Sequence, residues 1–186
     1  YWFYNRPKWK RLSYDSYRQS SQWDDPLIVI KMRHIISVKL ENESGALSRV
    51  ANLFSARNFN IESLSVAPTN NPSSSIMTIV TSGNDHVIEQ IIKQLSKIID
   101  VLDVVDITSS DHIEKQVLLI KLDSNEYQKI KGKDFLNDKS INIYEKSASI
   151  VIELCSSPKE IDEILHNIGN IEYEIVRSGT VGINNN

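Results

Sequence analysis

From Met32 onward one order of apolar patterns occurs twice, and this recurrence most narrows the folds open to the chain. Residues 34–40 (HIISVKL) are β-branched and apolar and read as a strand. The loop ENESG follows. Leu47, Val50, Ala51 and Phe54 then fall at i, i+3, i+4 and i+7, one face of a helix. That helix ends near Arg57 and Asn58, and Asn58 can adopt the left-handed backbone of a terminator. Residues 61–67 form a second strand, 68–74 (PTNNPSS) a turn-rich loop and 75–81 a third strand. Ser82, Gly83, Asn84 and Asp85 break that strand and can cap a second helix. The stripe of Val87, Ile88, Ile91, Ile92, Leu95 and Ile98 belongs to that helix. A fourth strand over 101–107 closes the unit. The order β-α-β-β-α-β over about 75 residues is ferredoxin-like.

The second copy is fainter. Residues 117–122 read as a strand and 124–136 as a weak helix interrupted at Gly132, since glycine inside a helix costs about 1 kcal/mol. Residues 140–144 and 148–154 read as a hairpin. Ser157 and Pro158 open a helix whose buried face is Ile161, Ile164, Leu165 and Ile168, and 171–176 is the last strand. The expected class is α+β, with two ferredoxin-like βαββαβ domains at 32–108 and 112–183. Residues 1–31 stand apart. They hold eight of the fourteen aromatic residues and a net charge of +3, against −6 for the remainder, and show no steady period. They read as a disordered extension or as upstream sequence joined ahead of a native start at Met32. Their basic and aromatic mixture would also suit nucleic acid or membrane contact.

The inventory of chemistry is short. The four histidines (His34, His86, His112, His166) have no His or Cys at metal-ligand spacing, so no metal site is expected. Cys155 is the single cysteine, ends a predicted strand, and reads as a buried small hydrophobe. No phosphate-binding glycine loop occurs, and no nucleophile, base and orienting group converge, so no catalytic residue is assigned. No apolar run approaches the roughly 18 residues of a membrane helix. RNA-recognition domains share the β-α-β-β-α-β order but need aromatic residues on their central strands. HIISVKL and SIMTIVT have none, so no nucleic-acid partner is expected.

One segment invites a ligand. ENESGALSR (41–49) puts an acceptor-rich loop and a glycine at a helix N-terminus directly after a strand. Unpaired N–H groups and the helix dipole there suit a carboxylate, and Gly45 lets a ligand approach the backbone. The Asn42 carbonyl can accept from an ammonium group, so the combination matches a free amino acid. The competing reading is structural: Asn42 or Ser44 caps the helix, Gly45 eases the turn, and Glu41 and Glu43 complement the dipole.

The stretches MRHIISVKLENESGALSRVANLFSARNFNIESLSVAPT (32–69), MTIVTSG (77–83) and EQIIKQLSKIIDVLDV (89–104) closely resemble the small regulatory subunit of acetolactate synthase, whose N-terminal part is an ACT domain. IVRSGTVG (175–182) resembles that family's C-terminal block. The resemblance implies a non-catalytic subunit in branched-chain amino acid biosynthesis, including that of isoleucine. It would activate a large subunit carrying thiamine diphosphate, FAD and Mg²⁺, and confer feedback inhibition by valine. It implies a homodimer through the ACT domains, with valine held between Asn42, Gly45, Ala46 and Leu47 of one chain and Asn60 and Ile61 of its neighbour. Gln90 falls where the family communicates with the large subunit. The expected location is the bacterial cytoplasm, with a plastid stroma as the alternative. The rival function is a stand-alone ACT-type amino-acid sensor or a regulator of a different enzyme.

Overall fold

The computed structural model describes residues 32–138, 140–146 and 149–185. The expectation for residues 1–31 lies outside them. Strands β1 (Met32–Glu41), β2 (Ser63–Pro68), β3 (Ser74–Gly83) and β4 (Val101–Asp106) form an antiparallel sheet in the order β2-β3-β1-β4. Helices α1 (Ala46–Ala56) and α2 (Asp85–Leu95) connect them on one face. Alternation along β1 sends Ile36, Val38 and Leu40 toward the helices, where they meet Met77 and Ile79 from β3 and Val50, Phe54, Ile88 and Ile91 from the helices. Fully burying each large apolar side chain contributes roughly 1.5–3 kcal/mol.

The end of α1 is built as the sequence suggests. Asn58 has φ +56°. Its N–H donates to the Ser55 carbonyl, and that of Phe59 to the Phe54 carbonyl at 3.0 Å. The rings of Phe54 and Phe59 meet edge to face at 6.4 Å. This is a Schellman ending with its apolar contact.

The second half repeats the topology. Strands β5 (His112–Asp123), β6 (Ile141–Lys146), β7 (Ser149–Ser156) and β8 (Glu174–Arg177) run in the order β6-β7-β5-β8. Helices α3 (Ser124–Ile130) and α4 (Pro158–Ile168) pack over Leu118, Ile120, Ile152 and Leu154. Ser157 and Glu160 form a capping box, with Pro158 in the first turn of α4. The described residues are thus α+β with two ferredoxin-like halves that form one compact unit.

Several details differ from expectation: α2 ends at Leu95, short of Ile98, and the last strand of the second half runs Glu174–Arg177 rather than 171–176. The helix expected over 124–136 stops at Ile130, and a short 3₁₀ turn, Asp134–Asn137, follows Gly132. Strand β5 starts at His112 rather than 117, because its first residues pair with an additional strand β9 (Val181–Asn184). Strand β2 starts at Ser63 rather than 61, and Ile61 packs against the core ahead of it. Cys155 is exposed rather than buried: its neighbours Leu154 and Ser156 occupy the inward positions of β7, so alternation turns it outward.

Strand β9 covers the face of the first sheet that the helices leave open. A Cβ on Gly182 would lie 2.9 Å from Ile107 Cδ1 and 3.5 Å from Ile35 Cγ2. Ile35, Val80 and Ile107 are accordingly buried although none faces α1 or α2. Among the described residues, no helix is long and apolar enough to cross a membrane.

Candidate functional site

The loop between β1 and α1 is held from three sides. The Glu41 N–H donates to the Asp100 carbonyl at 2.8 Å, and the Asn42 N–H to the Ser73 carbonyl at 2.8 Å. The Asn42 side chain donates from Nδ2 to the Pro72 carbonyl at 2.9 Å, while its Oδ1 accepts from Ser75 Oγ at 3.1 Å. Asn42 therefore pins the loop to the turn before β3. Its carbonyl oxygen has a second lone pair and can accept one more donor.

The chain then turns at Gly45, with φ +91° and ψ −9°, a backbone that residues with a Cβ rarely adopt. Helix α1 begins immediately after it. No side chain caps this helix, and its first turn holds no acidic residue. That contradicts the structural reading in which Asn42 or Ser44 is the cap. Among the described residues the other three α-helices are all capped by side chains, α2 by Asn84, α3 by Asp123 and α4 by Ser157. The N–H groups opening α1 thus lack the side-chain acceptor that its counterparts have, and carry the positive end of the dipole.

Behind the loop lies a pair that sequence spacing did not reveal. Arg49 Nη2 donates to Asp100 Oδ1 at 2.7 Å, and Arg49 Nε donates to Asp100 Oδ2. These hydrogen bonds hold the nearly buried Asp100 carboxyl below its ordinary range. Arg49 Nη1 would lie 3.1 Å from a Cβ at position 45. The guanidinium thus backs the glycine turn, and the Asp100 backbone anchors Glu41. Arg49 could be singled out one turn into the helix, but nothing local nominates a partner 51 residues away.

The six candidate ligand residues fall into two separate groups. Gly45 is exposed, Leu47 is 42% exposed, and the Ala46 side chain lies in the core beside Val50 and Phe54. Ala46 can offer a ligand only its backbone, whose N–H already donates to the Glu43 carbonyl at 3.2 Å. Asn60 is exposed, and its carbonyl accepts from Thr81 Oγ1 at 2.7 Å. Ile61 is half-buried against the first core. Strand β3 measures the gap between the groups: Asn42 is bonded to Ser75, and Asn60 to Thr81. Six strand residues span about 20 Å, several times the length of a free amino acid. One chain does not bring both groups to one small ligand. None of the six lines the hollow of about 240 Å³ beside the loop, which Lys39, Glu43, Asn71 and Leu102 help to form. Gln90 is exposed on α2, with Nε2 3.0 Å from His86 Nε2. Among the described residues, no three of His, Cys, Asp and Glu cluster to hold a metal ion.

Residues 36–103 match the model of the AHAS small subunit-like ACT domain. The acetolactate synthase small subunit of Buchnera aphidicola subsp. Schizaphis graminum is 46% identical over 157 residues, spanning 82% of this chain and 98% of that protein. The acetolactate synthase isozyme 3 small subunit of Escherichia coli strain K12 is 43% identical over 155 residues, 82% of this chain and 95% of that one. The crystal structure of the acetolactate synthase small subunit from Thermotoga maritima superposes with a TM-score of 0.72 at 29% identity, covering 82% of this chain and 97% of that one. A chain that matches such proteins over nearly their whole length belongs to the acetolactate synthase small-subunit family.

Proposed function

We propose that this chain is the non-catalytic regulatory subunit of acetolactate synthase, which raises the activity of a catalytic large subunit and withdraws that activation when valine binds. Valine sits between two copies of the chain. Its carboxylate meets the N–H groups that open α1 behind Gly45, its ammonium group meets the Asn42 carbonyl, and its side chain lies against Leu47. Asn60 and Ile61 of the second copy close the site. The observation that carries this reading is the uncapped N-terminus of α1 at a left-handed glycine. The separation of the two residue groups along β3 supports the homodimer.

Valine favours one dimer geometry, and regulation follows if the two geometries bind the large subunit differently. An aliphatic pocket separates valine from isoleucine or leucine only modestly, since one methylene is worth about 1–3 kcal/mol. Residues 32–108 and 112–183 act as two domains, and Gln90 faces the large subunit. Thiamine diphosphate, FAD and Mg²⁺ belong to that subunit, which performs the transferase chemistry in the cytoplasm as part of branched-chain amino acid biosynthesis.

The test is acetolactate formation by the cognate large subunit with and without this chain, each with and without excess valine. Activation that valine reverses is the expected result. Activation untouched by valine removes the effector site and keeps the subunit role. No activation by a folded chain overturns the reading in favour of a stand-alone sensor.

A further inference from the structure

The C-terminal block Arg177–Ser178–Gly179–Thr180 has no part in the effector site, yet it is wedged between the two halves. A Cβ on Gly179 would lie 2.2 Å from the Leu64 carbonyl oxygen and 3.1 Å from the Ser65 nitrogen. Gly179 does not have a positive φ, so close backbone approach, not conformation, demands the glycine. Beside it the Thr180 N–H donates to Ser63 Oγ at 2.8 Å. Ser63 and Leu64 open β2, two residues beyond the effector-contact pair Asn60 and Ile61.

From Thr180 a polar chain runs into the C-terminal half. Gln116 Nε2 on β5 donates to Thr180 Oγ1 at 2.7 Å. Gln116 Oε1 accepts from Arg177 Nε at 2.6 Å, and Arg177 Nη1 donates to Asp162 Oδ1 on α4 at 2.7 Å. Thr180 is fully buried and Gln116 nearly so. Buried, satisfied polar groups hold one another in register, because losing a partner leaves an uncompensated donor or acceptor. An open cleft of about 540 Å³ flanks this chain of contacts, lined in part by Gln116, Asp162, Arg177 and Thr180.

We propose that residues 177–180 are the coupling element through which effector occupancy at Asn60 and Ile61 reaches the C-terminal half. The proposal rests on the effector reading above and extends it. A ligand that repositions the lead-in to β2 moves Ser63 and Leu64. The backbone of Gly179 lies directly against them, with no flexible side chain between to absorb the displacement. The shift passes through Thr180, Gln116 and Arg177 to Asp162. The C-terminal half thereby takes different positions in the valine-bound and free states, and the large subunit can read that difference. Gly179 and Thr180 are positioning residues; neither touches the effector.

The experiment is hydrogen exchange of the full chain with and without saturating valine, alongside valine binding by calorimetry. In the wild type, valine slows exchange around residues 42–67. It also slows exchange across 158–177, by about threefold or more if local opening there is coupled to the site. In Gly179→Ala, whose added Cβ must displace the Leu64 backbone, valine binds more weakly; at saturation it still protects 42–67, while its effect on 158–177 is lost. Ser63→Ala, a smaller change that removes only the acceptor for Thr180, gives the same loss if the glycine variant folds poorly. The proposal is overturned if wild-type 158–177 ignores bound valine, or if both variants transmit the change as the wild type does. If valine neither binds nor protects any segment, the effector reading falls and the coupling with it.

Discussion

Substitutions at Gly45 separate the shape of the loop between β1 and α1 from its charge, and so test the proposed valine site. Three variants form the series: Gly45→Ala, Gly45→Asn and Gly45→Asp. At φ +91° any residue with a Cβ is strained, by about 1–2 kcal/mol, and Asn tolerates this region best. The added Cβ would meet only the end of the Arg49 side chain, at 3.1 Å, which can move aside. Packing therefore adds little to the backbone cost. Gly45→Ala is expected to lower unfolding free energy by about 1 kcal/mol, and Gly45→Asn by less. Asn and Asp are nearly isosteric, so their difference reports charge. In the proposed site a carboxylate at position 45 adds a second negative charge beside the valine carboxylate, for which a separation of about 4 Å serves as the reference range. At that range the repulsion is about 1 kcal/mol in water and several times more as the effective dielectric falls. Valine should therefore bind Gly45→Asp about five- to thirty-fold more weakly than Gly45→Asn, the factor for about 1–2 kcal/mol. Urea unfolding measures the first quantity and calorimetry with valine the second. Equal valine affinity in the Asn and Asp variants would refute the placement of the carboxylate at this helix end.

Three further outcomes are expected. Asp100 has a folded pKa below its ordinary 3.8 because Arg49 hydrogen-bonds its charged form. The resulting stabilisation is complete above that range and is lost as pH falls through the lower folded value. Asp100→Asn should therefore flatten the acid limb of stability, measured by urea unfolding between pH 7 and pH 2. Glu160 accepts from Ser156 Oγ, Ser157 Oγ and the Ser157 N–H, which lower its pKa from 4.5 to about 2. Its contribution is present above 4.5 and disappears as pH falls through about 2, and Ser156→Ala should raise the midpoint seen by carboxyl NMR. Phe54→Ala removes a ring that is 1% exposed and packed on Phe59, and should cost about 3–5 kcal/mol in chemical denaturation.

The loop between β1 and α1 shows how far local reasoning reaches. Glycine at the entrance to α1 and Asn58 at its exit were legible because each answers to a backbone demand of its own neighbours. The choice between capped and uncapped was not, since Asn42 is drawn away from the helix by Pro72 and Ser75. Both partners lie some thirty residues on, and only the register of β1 against β3 brings them to Asn42. The pairing of Arg49 with Asp100 was hidden for the same reason. Strand β9 was missed because four residues containing a glycine carry no period of their own; β5 and the open face of the first sheet make it a strand.

Read alone, the sequence determined what repeats locally: two βαββαβ orders and the inward faces of α2 and α4, whereas on α1 it marked Val50 and Phe54 but also the exposed Leu47, and passed over the buried Ala46 and Leu53. Period 2 and period 3.6 are properties of neighbouring residues and survive without tertiary context. The tertiary structure decided what depends on distant partners: which helix keeps a bare N-terminus, which way Cys155 points, and how residues 177–182 close the first sheet against the second. Those outcomes follow from burial and hydrogen-bond satisfaction across segments far apart in the chain, which only the folded arrangement brings together.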